Sequence, residues 1–192
     1  VKFTVRNGDY NDGDNYPKWS GLGAKVGAAA NFNIPYIDAD GNDAICPYAI
    51  PIPESDEAVL EDDYNFYCYN GDLWYYVSDN VNRANSLSFN QDNSFGTANI
   101  ILCNNATLTV SNISSNANLS IYGQKNNEGK ITGSITIENG SYSGINAGGS
   151  ITLNGVTIEI NGYDNGIYAL DGDITINGGN ISVTDATSYG NR

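Results

Sequence analysis

A short phrase of the form Gly-x-Ile-Thr recurs in the C-terminal half of the chain, and this recurrence limits the fold more than any other feature. Copies begin at Gly133, Gly149 and Gly172, and looser versions begin at Asn99 and Asn118. Each copy alternates apolar and polar residues and then ends in Asn or Gly, as a short strand followed by a turn does. Such a strand buries too little apolar surface to be stable alone, so successive copies must stack. The repetition therefore predicts a β-solenoid.

The spacing of the phrases predicts how the turns of the solenoid follow one another. If every phrase forms one turn, the first inward-facing residues lie 19, 16, 16 and 23 residues apart, at Ile100, Leu119, Ile135, Ile151 and Ile174. Unequal spacing indicates loops of different length between the strands. We expect an all-β fold, a right-handed parallel β-helix, because strand-like patterns continue from Leu87 to Val183 without helical periodicity.

Asparagines follow several of these strands at similar places. Asn154 and Asn177 occupy the same position in their phrases, and Asn104 and Asn139 do so approximately. Identical amides stacked in register hydrogen-bond to one another along the stacking direction. We therefore expect an asparagine ladder at one corner of the solenoid.

The chain divides into three parts by composition. Residues 1–33 form an N-terminal extension, residues 34–86 a hairpin and aromatic cap region, and residues 87–192 the parallel β-helix. In the middle part, Asp40-Gly41 lies between two apolar arms and predicts a hairpin over residues 36–46, because a tight turn needs positive φ. Aromatic residues on both sides of the turn sequence at 70–72 predict a second hairpin.

Composition and charge exclude several classes of partner. Eight basic and 22 acidic residues give a net charge of -14, which repels nucleic acid. No apolar run reaches the roughly 20 residues of a membrane-spanning helix, so we expect no membrane insertion. The sequence contains no Met, even at position 1, and charged residues make up 16% of it. These features favour a processed, secreted or cell-surface protein.

Several segments together resemble a known group of proteins. They are the hairpin at 36–46, Trp74–Ser78, Asn99–Val110, Leu119–Gln124 and the Gly-x-Ile-Thr phrases. In this order they resemble repeat-rich exported surface proteins of bacteria whose parallel β-helix domains are often labelled carbohydrate-binding. The resemblance implies a right-handed parallel β-helix and a role at the cell surface, and it implies no catalytic residues. The N-terminal extension, and an end one partial coil after Asn180, depart from the pattern of that group.

The solenoid offers poor material for an active site. Polysaccharide lyases with this architecture use a carboxylate cluster and a basic residue that removes a proton. Here the acids occupy inequivalent places in successive phrases, at Glu138, Glu159, Asp164, Asp171, Asp173 and Asp185, and the sequence has no His. We therefore expect no enzyme activity, and a lyase-like enzyme is the least favoured alternative.

One short segment has the density of oxygen ligands that calcium prefers. It contains Asp38, Asp40, Asn42 and Asp43. The spacing lacks the order and the closing Glu of an EF-hand, so a solvated Asp-Gly turn explains the same residues. We expect no other cofactor. The three cysteines, Cys46, Cys68 and Cys103, allow at most one internal disulfide and form no metal motif.

Aromatic residues in the middle of the chain have two interpretations. Flat rings next to amides suit a glycan, and the candidate platform comprises Tyr64, Tyr67, Tyr69, Trp74 and Tyr76. The same rings suit a plug that buries apolar surface over the first turn of the solenoid. If the rings form a plug, we expect that replacing Trp74 unfolds the protein and does more than abolish binding.

The last coil, residues 173–185, is followed by only seven residues and no apolar capping segment. An uncovered coil presents unpaired backbone groups to other chains. We expect another copy to cover it head to tail, which produces filaments when the contact does not close into a ring. The candidate assembly residues are Val1, Phe3 and Val5 at one end, and Ile174, Ile176, Ile181 and Val183 at the other. A self-assembling structural protein and a glycan-binding adhesin are thus the two alternatives.

Overall fold

A computed structural model describes residues 34–46, 49–52, 72–89, 96–140, 142–162 and 164–184. Throughout these residues the regular structure is β, and parallel strands stack as a β-solenoid of about 5 turns. The expected all-β class and parallel β-helix are thereby confirmed. Among the same residues, no helix has the length and apolar character needed to cross a membrane.

Three short strands precede the first full turn of the solenoid. The hairpin consists of β1 (Ile34–Ile37) and β2 (Asp43–Cys46), which pair antiparallel. Strand β3 (Ile50–Pro51) pairs in parallel with the first strand of the solenoid. The turn between β1 and β2 has Gly41 at φ 84°, as the Asp-Gly sequence predicted.

Twelve strands then form the turns. The first turn contains β4 (Leu73–Val77), β5 (Asn80–Asn82) and β6 (Leu87–Phe89), and the second contains β7 (Thr97–Leu102), β8 (Thr107–Val110) and β9 (Ile113–Ser115). The third contains β10 (Asn118–Gly123), β11 (Ser134–Ile137) and β12 (Ser143–Ala147). The fourth contains β13 (Ile151–Asn161) and β14 (Asn165–Ala169), and the fifth contains β15 (Ile174–Thr184).

The stacked strands form three faces. The first face has the order β3-β4-β7-β10-β13-β15, the second β5-β8-β11-β13-β15 and the third β6-β9-β12-β14. Strands β13 and β15 contribute to two faces because each bends in the middle. Gly179 makes the bend in β15 at φ 95°, and a Cβ there would lie 2.2 Å from the Val156 carbonyl oxygen. Only glycine fits this corner.

Inward-facing side chains form continuous apolar rows from turn to turn. The row on the second face is Val81, Leu108, Ile135, Ile158 and Ile181, and the row on the third face is Leu87, Ile113, Ile145 and Ile167. All are buried except Ile181, which lies in the last turn and is half-buried. Stacking of these rows removes apolar surface from water, at about 25 cal/mol per Å² buried.

The expectation of one phrase per turn is wrong. Ile135 pairs with Leu108 and Ile158 on the second face, so it belongs to the same turn as Leu119. The equivalent residues of the first face are Ala98, Leu119, Ile151 and Ile174, which are 21, 32 and 23 residues apart. Each face of a turn needs its own strand and its own corner. A repeated strand phrase can therefore belong to a new face of the same turn as well as to a new turn.

The solenoid begins before residue 87, where the sequence placed its boundary. Strands β4 and β5 already pair in parallel with β7 and β8. Leu73, Tyr75 and Val77 point inward and are buried, which makes the aromatic segment a strand of the first turn. β4 is therefore a strand of the solenoid. The sequence predicted a second hairpin around residues 70–72, but among the described residues β4 pairs only in parallel.

The asparagine ladder contains two of the residues that the structure describes. Asn154 and Asn177 are in register, and the Asn177 Nδ2 donates to the Asn154 Oδ1 at 2.7 Å. Tyr122 and Ile101 occupy the equivalent positions in the two preceding turns, so the ladder stops there. The expected membership of Asn104 and Asn139 is wrong, because both lie outside this row.

The hairpin covers the outer side of the first face. Outward-facing Tyr76 and Ile101 are buried there with Ile34 and Cys46 of the hairpin, as a second apolar cluster. Beside this cluster, the Gln124 Nε2 donates to the Pro35 carbonyl at 2.7 Å. In the described part of the chain, the solenoid therefore has one core inside its turns and a smaller one on its flank.

Candidate functional site

Strand β15 forms the edge of the solenoid among the described residues. It pairs with β13 along both halves, from Ile174 opposite Ile151 to Thr184 opposite Asn161, and with no other described strand. Backbone groups of a parallel strand alternate between its two neighbours. The Ile151 amide donates to the Asp173 carbonyl, so the Asp173 carbonyl points toward β13 and the peptide groups of Ile174 and Ile176 point away from it. This edge is a template for another strand.

The inward side chains of the last turn continue the apolar rows but are less covered. Ile174, Ile176, Ile181 and Val183 lie opposite Ile151, Leu153, Ile158 and Ile160, whose exposed fractions are 1% or less. Ile176 is 51% exposed, and the other three are half-buried. The end of the solenoid therefore combines an open backbone edge with a partly exposed apolar surface. We call this combination the β15 end.

The structure brings together one half of the predicted assembly set. The four residues lie on one strand. Ile174, Ile181 and Val183 pack against the interior, and Ile176 lies opposite the buried Leu153. Val1, Phe3 and Val5 lie outside the described residues. The β15 end is thus a candidate interface in its own right, and the N-terminal strand stays a prediction for its partner.

The predicted glycan platform is divided by the structure. Tyr64, Tyr67 and Tyr69 lie outside the described residues. Tyr76 is 5% exposed beneath the hairpin, so its ring cannot receive a ligand in this conformation. Trp74 is half-buried and stacks on Tyr122 with ring centroids 5.7 Å apart and an interplanar angle of 17°.

A cluster of three rings holds the hairpin on the solenoid. Tyr36 of β1 lies 5.3 Å from Trp74 and 4.9 Å from Tyr122 between ring centroids, in tilted and edge-on arrangements. Such pairs contribute about 0.5–1.5 kcal/mol beyond the area that they bury. Sequence reasoning selected Trp74 but missed Tyr36 and Tyr122. The available signal was Tyr122, an aromatic residue at the place where the following turns have Asn.

Burial raises the pKa of two tyrosines of this cluster and of one cysteine, Cys103. Desolvation, followed by the nearby Tyr122 and Cys46, raises the pKa of Tyr36. Desolvation also raises the pKa of Tyr122, with contributions from Asp72 and Asp38, and a hydrogen bond with Ser120 partly opposes the shift. The pKa of the Cys103 thiol rises to about 11 because of burial and the nearby Asp79 carboxylate. These groups are neutral at physiological pH, and the Cys103 thiol is a poor nucleophile.

The predicted calcium segment forms the hairpin turn. The Asp38 Oδ1 accepts hydrogen bonds from the amides of Asp40 and Asn42, at 3.0 and 2.8 Å. Asp43 faces the Lys125 ammonium at 3.8 Å. Asp38 thus closes the turn as an Asx motif. No group of three His, Cys, Asp or Glu side chains suited to a metal occurs in the part of the chain that the structure describes.

Comparison of the chain with protein-family models, curated proteins and solved structures finds no match in any of the three. The β-solenoid is the part of the sequence resemblance that agrees with the structure. The comparisons support none of the exported, bacterial and carbohydrate-binding descriptions, which stay predictions from the sequence.

Proposed function

We propose that this chain is a non-catalytic, extracellular or cell-surface structural protein whose solenoids associate end to end through the β15 end. The observation that carries the proposal is the combination on β15 of an edge that no other described strand pairs with and a partly exposed apolar surface. An edge strand that leaves backbone groups unpaired beside exposed apolar side chains promotes pairing with another chain. The partner is a second copy of the chain.

A contact between the β15 end and a different surface of the next copy is heterologous. Repetition of a heterologous contact gives an open filament unless the rotation between copies closes a ring. Addition of a strand in register continues both the hydrogen bonds and the apolar rows of the solenoid, as in other cases of β-augmentation. A fibre or surface layer is the expected product.

The proposal is tested by light scattering and negative-stain electron microscopy of the full chain and two variants. Ile176→Lys places a charge on the exposed apolar surface of the β15 end. Ser182→Lys is the matched control, because Ser182 is exposed on the outward side of the same strand. We expect polymers for the parent chain and the control, and dissociation to single copies for Ile176→Lys with unchanged circular dichroism.

The partner surface is identified by a further variant that lacks residues 1–33. Loss of assembly in this variant assigns the partner to the extension with Val1, Phe3 and Val5. Assembly that persists without the extension but is lost in Ile176→Lys assigns it to the first turn of the next copy. A parent chain that stays single at every accessible concentration contradicts end-to-end association.

The surface location is a separate part of the proposal, supported by the low charge content of 16% and by the resemblance described above. Treatment of intact cells of the source organism with a protease tests it. A surface protein is cleaved or released before the cells are lysed, whereas a cytoplasmic protein stays intact until lysis.

A further inference from the structure

An open polar groove runs along the corner between the second and third faces of the solenoid. It crosses three successive turns, because Ser86 belongs to the first, Ser111 and Asn112 to the second, and Tyr142 and Ser143 to the third. Its volume is about 530 Å³, which lies within the usual range for small-ligand sites. None of the described residues that line the groove belongs to β15 or to the hairpin.

The chemistry of the groove is neutral and rich in hydrogen-bonding groups. None of the described residues that line it carries a charge, although the whole chain has a net charge of -14. Hydroxyl groups of serine and amide groups of asparagine both donate and accept hydrogen bonds. A ligand with many neutral hydroxyl groups can hydrogen-bond to this lining. A charged ligand would have no oppositely charged side chain among the described lining residues.

The wall of the groove is fixed by hydrogen bonds between turns. The Asn112 Nδ2 donates to the Ser143 carbonyl at 2.6 Å, and it also lies 3.3 Å from the Gly144 carbonyl oxygen. Ser86 and Ser111 share a hydrogen bond of 3.3 Å between their hydroxyl groups. A surface held in this way needs little reordering when a ligand binds, which favours affinity.

Tyr142 is the unusual residue of the groove. It is 76% exposed and has a φ of 72°, in the left-handed region that bulky residues rarely adopt. Neither the core nor the backbone gains from a tyrosine in this position. Unfavourable backbone conformations of this kind concentrate at ligand-binding positions. The exposed ring supplies the flat apolar face that the rest of the groove lacks.

Asn146 contributes a side-chain amide to the lining of the same groove. It lies on the third face, in register with Ser114 of the turn before, and its side chain makes no hydrogen bond to the described residues. Successive turns are about 4.8 Å apart along the solenoid axis. A linear chain of sugar rings that runs along this axis would contact the polar side chains of one turn after another.

We propose that this corner groove binds a neutral oligosaccharide, with one sugar ring against the face of Tyr142 and its hydroxyl groups on Asn146 and the serines. The site differs from the aromatic platform that the sequence predicted, whose described rings serve the hairpin. It does not depend on assembly at the β15 end.

The test is titration calorimetry with saturation-transfer NMR on the full chain. The probes are cellohexaose, xylohexaose, maltohexaose and chitohexaose, with hexagalacturonate as the charged counterpart. We expect at least one neutral hexasaccharide to bind and hexagalacturonate not to bind. Failure of all four neutral probes, or equal binding of hexagalacturonate, overturns the proposal.

Two variants and a control locate the site. Tyr142→Asn removes the ring and introduces a residue that tolerates positive φ, so we expect equal or higher thermal stability and about tenfold weaker binding. Asn146→Ala also weakens binding. Leu170→Ala removes a side chain that is 60% exposed outside the groove, and it leaves binding unchanged. Parent-like affinity in a folded Tyr142→Asn variant overturns the assignment.

Discussion

Asn177 in the last strand of the solenoid donates a hydrogen bond of 3.1 Å to the carbonyl of Ala39 in the hairpin turn, 138 residues earlier in the chain. At the opposite end of the same flank, Tyr76 of the first turn is buried under the hairpin. The hairpin therefore lies across the solenoid from its first turn to its last. Its contacts with different turns give separate ways to test how firmly it is held.

The hydrogen bonds of Gln124 provide the first prediction. Its side chain is 8% exposed, donates to the Pro35 carbonyl and accepts a hydrogen bond from the Asn104 amide at 3.1 Å. Gln124→Ala leaves both partners without this side chain, so we expect a loss of about 1–3 kcal/mol in the free energy of unfolding, measured by urea denaturation. Asn127→Ala, an exposed change in the same loop, is the control and should be neutral. Equal stability of the two variants contradicts this role of Gln124.

The three-ring cluster gives the second prediction. Trp74 stacks on Tyr122 and contacts Tyr36, so Trp74→Ala removes ring contacts on both sides and leaves a cavity. We expect a loss of roughly 2–3 kcal/mol, below the range for fully buried Trp because this side chain is half-buried. Thermal unfolding followed by circular dichroism measures the loss. Trp74→Phe keeps an aromatic ring and should recover at least half of it, whereas a parent-like melting temperature for Trp74→Ala would show that the cluster does not stabilise the fold.

High pH gives the third prediction. The pKa values of Tyr36 and Tyr122 lie above their ordinary value of 10.0, and that of Cys103 rises from 9.0 to about 11. Between the unfolded and folded pKa, the folded protein keeps a proton that the unfolded chain has lost, so stability falls as pH rises. We expect the melting temperature to decline from near pH 9 and more steeply above pH 10. Cys103→Ala should remove the earliest part of the decline, and a flat profile from pH 9 to 11 would refute the raised pKa values.

Two isoleucines in one row give the fourth prediction. Ile158 is 1% exposed in the fourth turn, and Ile181 lies opposite it in the last turn and is half-buried. Ile158→Ala should cost about 2–5 kcal/mol, because it opens a cavity in the packed interior. Ile181→Ala should cost clearly less in a single copy. If the β15 end is covered by another copy, the cost of Ile181→Ala rises with protein concentration, so urea curves are recorded over a hundredfold range.

The sequence predicted the solenoid well because its evidence is local. Alternation of Ile and Thr followed by Asn-Gly specifies a short strand and a corner, and stacking of such units follows from burial. It could not assign Ile135 to a face, because the phrase at Gly133 looks the same whether it opens a new turn or continues one. Leu119 and Ile151 are 32 residues apart because the third turn contains a longer loop. Loops show no periodic pattern of apolar residues, so their length does not reveal where a turn ends.

The outer cluster and the corner groove could not be predicted from the alternation of apolar and polar residues. Ile101 and Tyr122 face away from the solenoid interior, where the alternation predicts polar residues, and the segment that covers them comes from far earlier in the chain. The groove joins single residues at equivalent corners of three turns, so no stretch of sequence contains it. The positive φ of Tyr142 could not be predicted from the sequence either, because it depends on the geometry of the corner between the second and third faces.

The contact between Asn177 and Ala39 links the length of the hairpin to the number of turns. Solenoids commonly grow or shrink in evolution by duplication or loss of a repeat, because each repeat contacts only its neighbours. Here an extra turn between β10 and β13 would move Asn177 by about 4.8 Å along the axis and out of reach of the hairpin turn. A descendant with more turns would need a longer hairpin or would lose this bond. The hairpin thus opposes the free change in repeat number that is usual for solenoids.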